Sequence, residues 1–299
     1  MNQIDASIVI PTRDRPALLA RAVESALAQT HESLEVVVVD DGSAEPVERP
    51  KHPRAQVIRH PRARGSAAAR NTGLAGARGP WVSFLDDDDC LLPHMIETSL
   101  EALARTTLPP PVGVLSGVEL VDEQGRILER RFPPTCPRGT WFGVEAIPGF
   151  PPGPAYETKQ TLVIERNVLL GIGGWIDGFQ PRETTELFLR LSQVCSFVGV
   201  PVITYRQLRH LGPRLTTDIA LRERGLERLI RRHRAVFEAH PEGYADFLRR
   251  HAHHLRVAGR WDKSLVTLID ALRLAPVTTA RETLAAAGRK AVEAARGRG

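Results

Sequence analysis

The chain is poor in cysteine and has no long apolar run. Three cysteines, Cys90, Cys136 and Cys195, stand among 299 residues without paired or metal-like spacing. This excludes a disulfide-stapled scaffold and fits a reducing compartment. No apolar stretch reaches the roughly 20 residues of a membrane-spanning helix. The first five residues show no basic segment followed by an apolar one, so we expect no signal peptide and predict a cytoplasmic protein.

A glycine-rich phosphate loop is also missing. The first apolar segment ends in Pro11-Thr12-Arg13-Asp14-Arg15, which is neither a Walker nor a Rossmann loop. Without the backbone amides of such a loop, a metal ion would have to carry much of any phosphate binding. The chain has 42% hydrophobic and 25% charged residues, as in an ordinary globular protein. Its length suffices for one large α/β domain with an appendage.

The first hundred residues alternate strand-like and helix-like segments. Short apolar runs are typical of buried strands, and apolar residues every three or four positions predict helices. The predicted strands are 7–11, 34–39, 56–59 and 81–85, and the predicted helices are 16–30 and 66–77. This alternation predicts a mainly parallel sheet covered by helices, in which ligands bind beyond the carboxyl ends of the strands.

The rest of the chain changes character at about residue 217. Before it we predict further strands, two helices and a loop over 132–157, and after it only helices. The predicted strands are 112–121, 126–131, 161–164 and 197–205, and the predicted helices are 166–170, 186–194, 221–240, 244–258, 262–274 and 279–295. The sequence therefore predicts an α/β domain over 1–216 and a C-terminal helical appendage over 217–299.

Acidic residues follow two of the predicted strands. Four aspartates, residues 86–89, come directly after one strand, and Asp40 and Asp41 end another. Adjacent carboxylates repel one another, and a hard cation such as Mn²⁺ or Mg²⁺ relieves this repulsion while binding substrate phosphates. The ordinary alternative for an isolated acidic run is a solvated surface loop. Two such strand ends together favour a site for a metal, phosphates and a ribose.

Four segments in order resemble the signature of family-2 glycosyltransferases with the GT-A fold. They are residues 8–15, 38–43, 69–73 and 84–89. The resemblance covers about residues 6–210. It implies a Rossmann-like domain that transfers a sugar with inversion from a nucleotide diphosphate sugar, usually a UDP-sugar, with Mn²⁺ or Mg²⁺ as cofactor. The Gln-x-x-Arg-Trp segment of processive members is absent, which implies transfer of one or a few sugars per encounter.

The resemblance also assigns roles at the nucleotide end of the site. Pro11, Thr12 and Arg13 would line the nucleotide pocket. Asp40 and Asp41 would contact the base, usually uracil, and its ribose.

At the diphosphate end, the resemblance identifies Asp86, Asp87 and Asp88 as the DxD motif. Asp88 is the best single candidate for metal ligation, with Asp86 and Asp87 nearer the ribose or sugar. Arg70 would support the donor site. His210 is a further candidate for contact with the metal or the diphosphate, although a lone histidine is more often structural.

The general base is where the sequence departs from the family pattern. The family usually shows Glu-Asp just before a helix, and the matching residues here are Glu183 and Thr184. A threonine does not act as a base near neutral pH, so we favour Glu183 as the base. Glu186 and Asp177 are alternatives, but a carboxylate such as Glu186 at a helix start is more often held by the helix dipole.

The C-terminal region is strongly basic. Residues 222–299 hold 17 Lys/Arg against 9 Asp/Glu, a net charge of +8, so the remainder carries −3 of the total of +5. Such a tail suggests an acidic partner, and a solvated basic helix face is the ordinary alternative. Peripheral membrane contact through these helices is one candidate, packing of the last helix against the body is the more usual alternative, and we expect no nucleic-acid partner. We expect the acceptor to be a glycan, a lipid-linked intermediate or a glycosylated small molecule.

Two other functions compete with glycosyl transfer. Thr184 also fits a protein that binds nucleotide sugar on the same scaffold but turns it over weakly or not at all. A nucleotidyltransferase would need carboxylates and a metal as well. It would, however, normally present a glycine-rich loop after the first strand, where this chain has Pro11 to Arg15.

Overall fold

The computed structural model describes residues 3–140, 160–180, 182–208, 219–281 and 283–284. The chain forms two compact units, Met1–Pro213 and Arg214–Gly299. The junction between them falls in residues 209–218, outside the described ranges. The domain boundary expected at 216 therefore stays a prediction.

The first unit is built on a five-stranded sheet with the order β3-β2-β1-β4-β8. The first four strands in this order run parallel, and β8 pairs antiparallel with β4. The two central strands are apolar along most of their length and are buried on both faces, as expected for a sheet covered by helices. The strands are β1 (Ala6–Thr12), β2 (Leu34–Asp40), β3 (Ala55–Arg59), β4 (Trp81–Phe84) and β8 (Ile164–Glu165).

Three of the helices in this unit lie within its first 105 residues. Helix α1 (Pro16–Leu27) begins with proline at its first position and buries Leu19, Val23 and other residues at helical spacing. Helix α2 (Ser66–Gly76) buries its alanine-rich face, and α3 is Met95–Arg105. Gly73 of α2 is required because a Cβ there would come within 2.2 Å of the Val9 side chain on β1. The predicted alternation of strands and helices is confirmed over this part of the chain.

A second sheet, which the sequence did not separate from the first, has the order β5-β9-β6-β7. Its long strands β6 and β9 are parallel to each other, whereas β5 and β7 pair antiparallel with them. The predicted turn between β6 and β7 is confirmed by a backbone bond from Gly125 N to Asp122 O of 2.9 Å. The strands are β5 (Cys90–Leu91), β6 (Val112–Val121), β7 (Ile127–Arg131) and β9 (Ser196–Leu208).

Two elements near the site differ from expectation. Helix α5 (Glu183–Val194) begins three residues before the predicted start at 186, and both Glu183 and Glu186 lie in its first turn, where the helix dipole favours acids. In place of the strand expected over 161–164, the structure has the two-residue strand β8 and one isolated β-bridge between Val163 and Val114. It is followed by α4 (Arg166–Gly171).

The second unit is helical throughout its described part. The single helix expected over 221–240 is two helices, because the backbone leaves helical geometry at His233, where φ is −110° and ψ is 28°. Ser264 Oγ donates to Ala252 O at 2.8 Å and ties α9 to α8. Among the described residues, no helix is both long and apolar enough to cross a membrane. The helices are α6 (Ile219–Arg232), α7 (Arg234–Ala239), α8 (Pro241–Val257) and α9 (Trp261–Leu274).

Candidate active site

The carboxyl ends of β1, β2 and β4 bring the predicted residues together. Thr12 lies beside Asp40 in the β1–β2 register, and Val9 lies beside Phe84 in the β1–β4 register. The residues that follow β4 therefore extend alongside the end of β1. Thr12 Oγ1 donates to Asp87 Oδ2 at 2.7 Å, which joins two segments 75 residues apart in sequence.

The loop after β1 presents two arginines at this edge. Arg15 Nη1 lies 3.1 Å from Asp87 Oδ1 and 3.2 Å from Asp88 Oδ2, so one guanidinium spans both carboxylates. Arg13 is exposed and pairs with Asp14 at 3.3 Å, and Pro11 is half-buried at the end of β1. This edge therefore holds Arg15 against two carboxylates of the acidic segment and carries a second exposed arginine, Arg13.

The four aspartates differ in environment. Asp87 is buried, and burial raises the pKa of its carboxyl, an effect that the bonds from Thr12 and Arg15 only partly oppose. Asp88 is more open, with 27% of its side chain exposed, and Asp86 has 23% exposed. The carboxylates best placed to meet a ligand are therefore those of Asp86 and Asp88.

The fourth aspartate points into the protein. Asp89 is buried, Tyr205 Oη donates to its Oδ2 at 2.8 Å, and the Leu208 amide donates to its Oδ1 at 2.9 Å. Burial, together with the nearby charges of Asp86 and Asp88, raises the pKa of Asp89 well above its usual value. Asp89 therefore anchors the acidic segment to β9 instead of facing the ligand edge.

Arg70 of α2 connects the acidic segment to Glu183. Its Nη2 lies 3.1 Å from Asp86 Oδ1, and its Nη1 lies 2.9 Å from Glu183 Oε2. Ser66 Oγ adds contacts of 2.9 and 3.0 Å to the two oxygens of Glu183. The guanidinium itself is buried and stacks over the Trp175 ring, 4.8 Å from the centroid. Glu183 and Asp86 are thus held in one network through a single cation.

Asp40 has a loop-anchoring geometry. It is fully buried and accepts the amides of Ser43 at 2.8 Å and Val47 at 3.2 Å, and it forms an ion pair with Arg59. Burial alone would raise its pKa, but these donors outweigh it and lower the pKa of Asp40 below its usual value.

Asp41 anchors the neighbouring loop. Its carboxylate accepts the amides of Arg64 and Gly65 at 2.8 Å, next to the start of α2, and lies 2.7 Å from His60 Nδ1. Gly42, directly after Asp41, has a φ of +72°, and a Cβ there would come within 2.6 Å of the backbone of Arg62 and Ala63.

The alternative bases have other environments. Glu186 is buried and bonded to Arg190 Nε at 2.9 Å, and Arg190 also donates to the carbonyls of Ile172 and Gly174. Asp177 is exposed and accepts the amide of Gly178 at 2.7 Å. Glu183 is therefore joined to the acidic segment through Arg70, whereas Glu186 is bonded to Arg190.

The metal ligands stay a prediction. Asp88 lies at the site edge, whereas His210 is outside the described residues. Within the described ranges, no group of three or more His, Cys, Asp or Glu side chains is arranged to hold a metal ion.

Sequence reasoning missed three contributors to the site. Arg15 belongs to the segment that follows the first predicted strand. Its position directly before helix α1 was the signal that could have identified it. Ser66 and Tyr205 gave no signal, because their partners Glu183 and Asp89 are more than 100 residues away.

Comparisons with known proteins agree with this geometry. Residues 7–115 match the family model described as glycosyl transferase family 2. An uncharacterized glycosyltransferase of Haemophilus influenzae is 27% identical over 236 residues, which cover 76% of either chain. Succinoglycan biosynthesis protein ExoO of Rhizobium meliloti is 38% identical over 101 residues, which cover 32% of this chain and 29% of that protein.

Solved structures show the fold. The crystal structure of S. aureus TarS 1–349 aligns with a TM-score of 0.61 and 16% identity, covering 92% of this chain and 82% of that one. Its complex with UDP-GlcNAc aligns with a TM-score of 0.62 and covers 92% and 83% of the two chains. The two-sheet unit described above is therefore a GT-A fold.

Proposed function

We propose that the chain is a family-2 glycosyltransferase, inverting and metal-dependent, that uses a UDP-sugar; the match of residues 7–115 to the glycosyl transferase family 2 model supports this. The observation that carries this proposal is the network in which Arg70 joins Asp86, on the donor side, to Glu183, the candidate base. A UDP-GlcNAc complex is known for the structural relative TarS, which supports a UDP-sugar as donor.

The donor would bind across the carboxyl ends of the central strands. Thr12 and Arg15 hold Asp87 in place, so Asp87 shapes the floor of the site. Pro11 and Arg13 would border the nucleotide, with Asp40 and Asp41 under the base and ribose. This assignment follows the general rule that ligands of such sheets bind beyond the strand ends.

The donor set at Asp86 and Asp88 fits Mn²⁺ or Mg²⁺. Such ions are commonly held by one or two carboxylates plus substrate phosphates, so a third protein ligand is not required. Asp88 is the more exposed of the two, and His210 would be a further ligand. When bound, the ion would act as a Lewis acid that stabilises the departing diphosphate.

The chain's own residues would supply the rest of the reaction. Glu183 would take the proton of the acceptor hydroxyl as its oxygen forms a bond to the anomeric carbon and the bond to the diphosphate breaks on the opposite face. Ser66 and Arg70 orient this carboxylate. Inversion follows from attack opposite the leaving group.

The acceptor is proposed to be a glycan or a lipid-linked intermediate. Two relatives have names that point to polysaccharide assembly, succinoglycan biosynthesis protein ExoO and, with 29% identity over 203 residues, O-antigen biosynthesis protein RfbC of Myxococcus xanthus. A glycosylated small molecule is the remaining acceptor class.

A second candidate is a nucleotide-sugar-binding protein with weak or no turnover. Thr184 favours it, since the family's usual aspartate is missing and Glu183 is already bound by Ser66 and Arg70. UDP release from a panel of UDP-sugars with Mn²⁺, with and without candidate acceptors, separates the two. Acceptor-stimulated release supports the transferase. Donor binding without release across the panel supports the binding protein.

A further inference from the structure

Helix α9 carries an exposed apolar ridge. Trp261, Leu265 and Ile269 follow one another at intervals of four residues and therefore share a face of the helix. Trp261 is 66% exposed and Leu265 is 61% exposed, and Val266 beside them is 60% exposed. We call these four residues the α9 ridge.

The ridge is separate from the face that packs in the helical unit. Ser264 and Ala271, seven residues apart, are buried, and Ser264 is bonded to α8 through Ala252 O. The helix thus has one face that packs against α8 and a second apolar face left exposed. Large exposed apolar patches mark surfaces that meet a partner.

Basic side chains flank the Trp261 end of the ridge. Arg260 and Lys263 lie 3.7 and 2.8 Å from Glu223 of α6, and Arg256 lies in the last turn of α8. Asp262 and Asp270 balance Lys263 and Arg273 within α9, so the positive charge comes from the surrounding helices. Residues 222–281 hold 13 Lys/Arg against 7 Asp/Glu, a net charge of +6.

We propose that the α9 ridge docks on an anionic lipid surface. Helices that lie in a membrane interface typically combine tryptophan and aliphatic residues with nearby basic side chains. Their apolar face enters the headgroup boundary, and their cations bind anionic lipids. A second copy of this chain would bring another strongly positive unit to the same face and be repelled. This inference deepens the proposed function and rests on it, because the lipid-linked acceptor is part of that proposal.

Vesicle co-sedimentation tests this docking surface. The full chain is mixed with vesicles of phosphatidylcholine alone or with phosphatidylglycerol. We expect the wild type to pellet with the anionic vesicles and to be released by high salt. Trp261→Ser with Leu265→Ser should weaken this binding by about tenfold or more, since each burial of a large apolar side chain is worth about one order of magnitude in affinity.

Ile127→Ser with Leu128→Ser is the matched control. These residues are also apolar and about half exposed, at 50% and 48%, but they lie on β7 of the first unit. The control should pellet like the wild type. Arg260→Gln with Lys263→Gln leaves the ridge intact and should weaken binding only to the anionic vesicles.

Three results would overturn the inference. One is a wild type that does not pellet with anionic vesicles, and another is equal binding by the ridge and control variants. The third is a dimer in sedimentation equilibrium that the ridge variant dissociates, which would assign the face to a second copy. Because vesicle binding requires no turnover, and UDP binding of the ridge variant is measured separately, failure here leaves the proposed glycosyl transfer standing.

Discussion

Glu183→Gln is the most informative substitution in the site. The carboxylate accepts Ser66 Oγ at 2.9 and 3.0 Å and Arg70 Nη1 at 2.9 Å. Glutamine has the same shape and keeps one acceptor oxygen, but it has no negative charge and does not take a proton near neutral pH. The change therefore removes the proposed base while retaining most of the packing.

The structure sets the size of the expected effects. General base catalysis contributes about 10²-fold or more, so turnover should fall by at least that factor, which is about 2.7 kcal/mol of activation free energy. Hydrogen bonds to charged groups are worth about 1.5–3 kcal/mol, so the free energy of unfolding should fall by up to that amount. The donor site lies on the other side of Arg70, so the donor KM should change little.

Glu186→Gln provides the control on the same helix. Glu186 is also buried and paired with an arginine, but that arginine, Arg190, binds the carbonyls of Ile172 and Gly174, whereas Arg70 binds Asp86. The Glu186→Gln variant should lose a comparable free energy of unfolding and keep its turnover rate per folded molecule. UDP release with Mn²⁺ and urea unfolding measure the two quantities. An unchanged rate in Glu183→Gln, or an equal loss in both variants, would refute Glu183 as the base.

Three further substitutions test the framework of the site. Asp40→Asn removes a carboxylate whose pKa is lowered by the fold. The wild type should be more stable than the variant above about pH 4, and this difference should shrink as the pH falls towards the folded-state pKa; an unchanged difference between pH 7 and pH 3 in urea unfolding would contradict this. Tyr205→Phe removes the donor to buried Asp89 and should cost about 1–3 kcal/mol of unfolding free energy by the same assay. Gly42→Ala should lower the thermal midpoint and weaken UDP binding, because its Cβ meets the backbone of the facing loop; unchanged values would speak against that close approach.

Local sequence patterns predicted most of the first sheet. Strands β1 and β2 are apolar along most of their length and are buried on both faces, so their limits and the carboxylates at their ends were readable from the sequence. That Thr12 and Asp87 meet at one edge follows from the parallel order of β1 and β4.

The second sheet and the base network were not readable in the same way. Strand β5 has only two residues, too few for a periodic pattern, and its pairing with β9 joins segments more than 100 residues apart. The bond from Ser66 to Glu183 depends on how α5 lies against α2, which no local pattern encodes. The sequence also does not show that Asp89 faces inward. Asp89 differs from Asp88 only through its tertiary partners, Tyr205 and Leu208.

Calorimetric titration of UDP into Asp88→Ala, with Mn²⁺ or with EDTA, tests the central claim most directly. The wild type should bind more tightly with Mn²⁺, and Asp88→Ala should lose this gain, a change of about tenfold or more, while keeping its thermal transition. Asp5→Asn, before β1 at the opposite edge of the sheet, where Asp5 pairs with His31, should behave as the wild type. Retention of the Mn²⁺-dependent gain by Asp88→Ala would contradict the assignment of the strand-end carboxylates as the donor site.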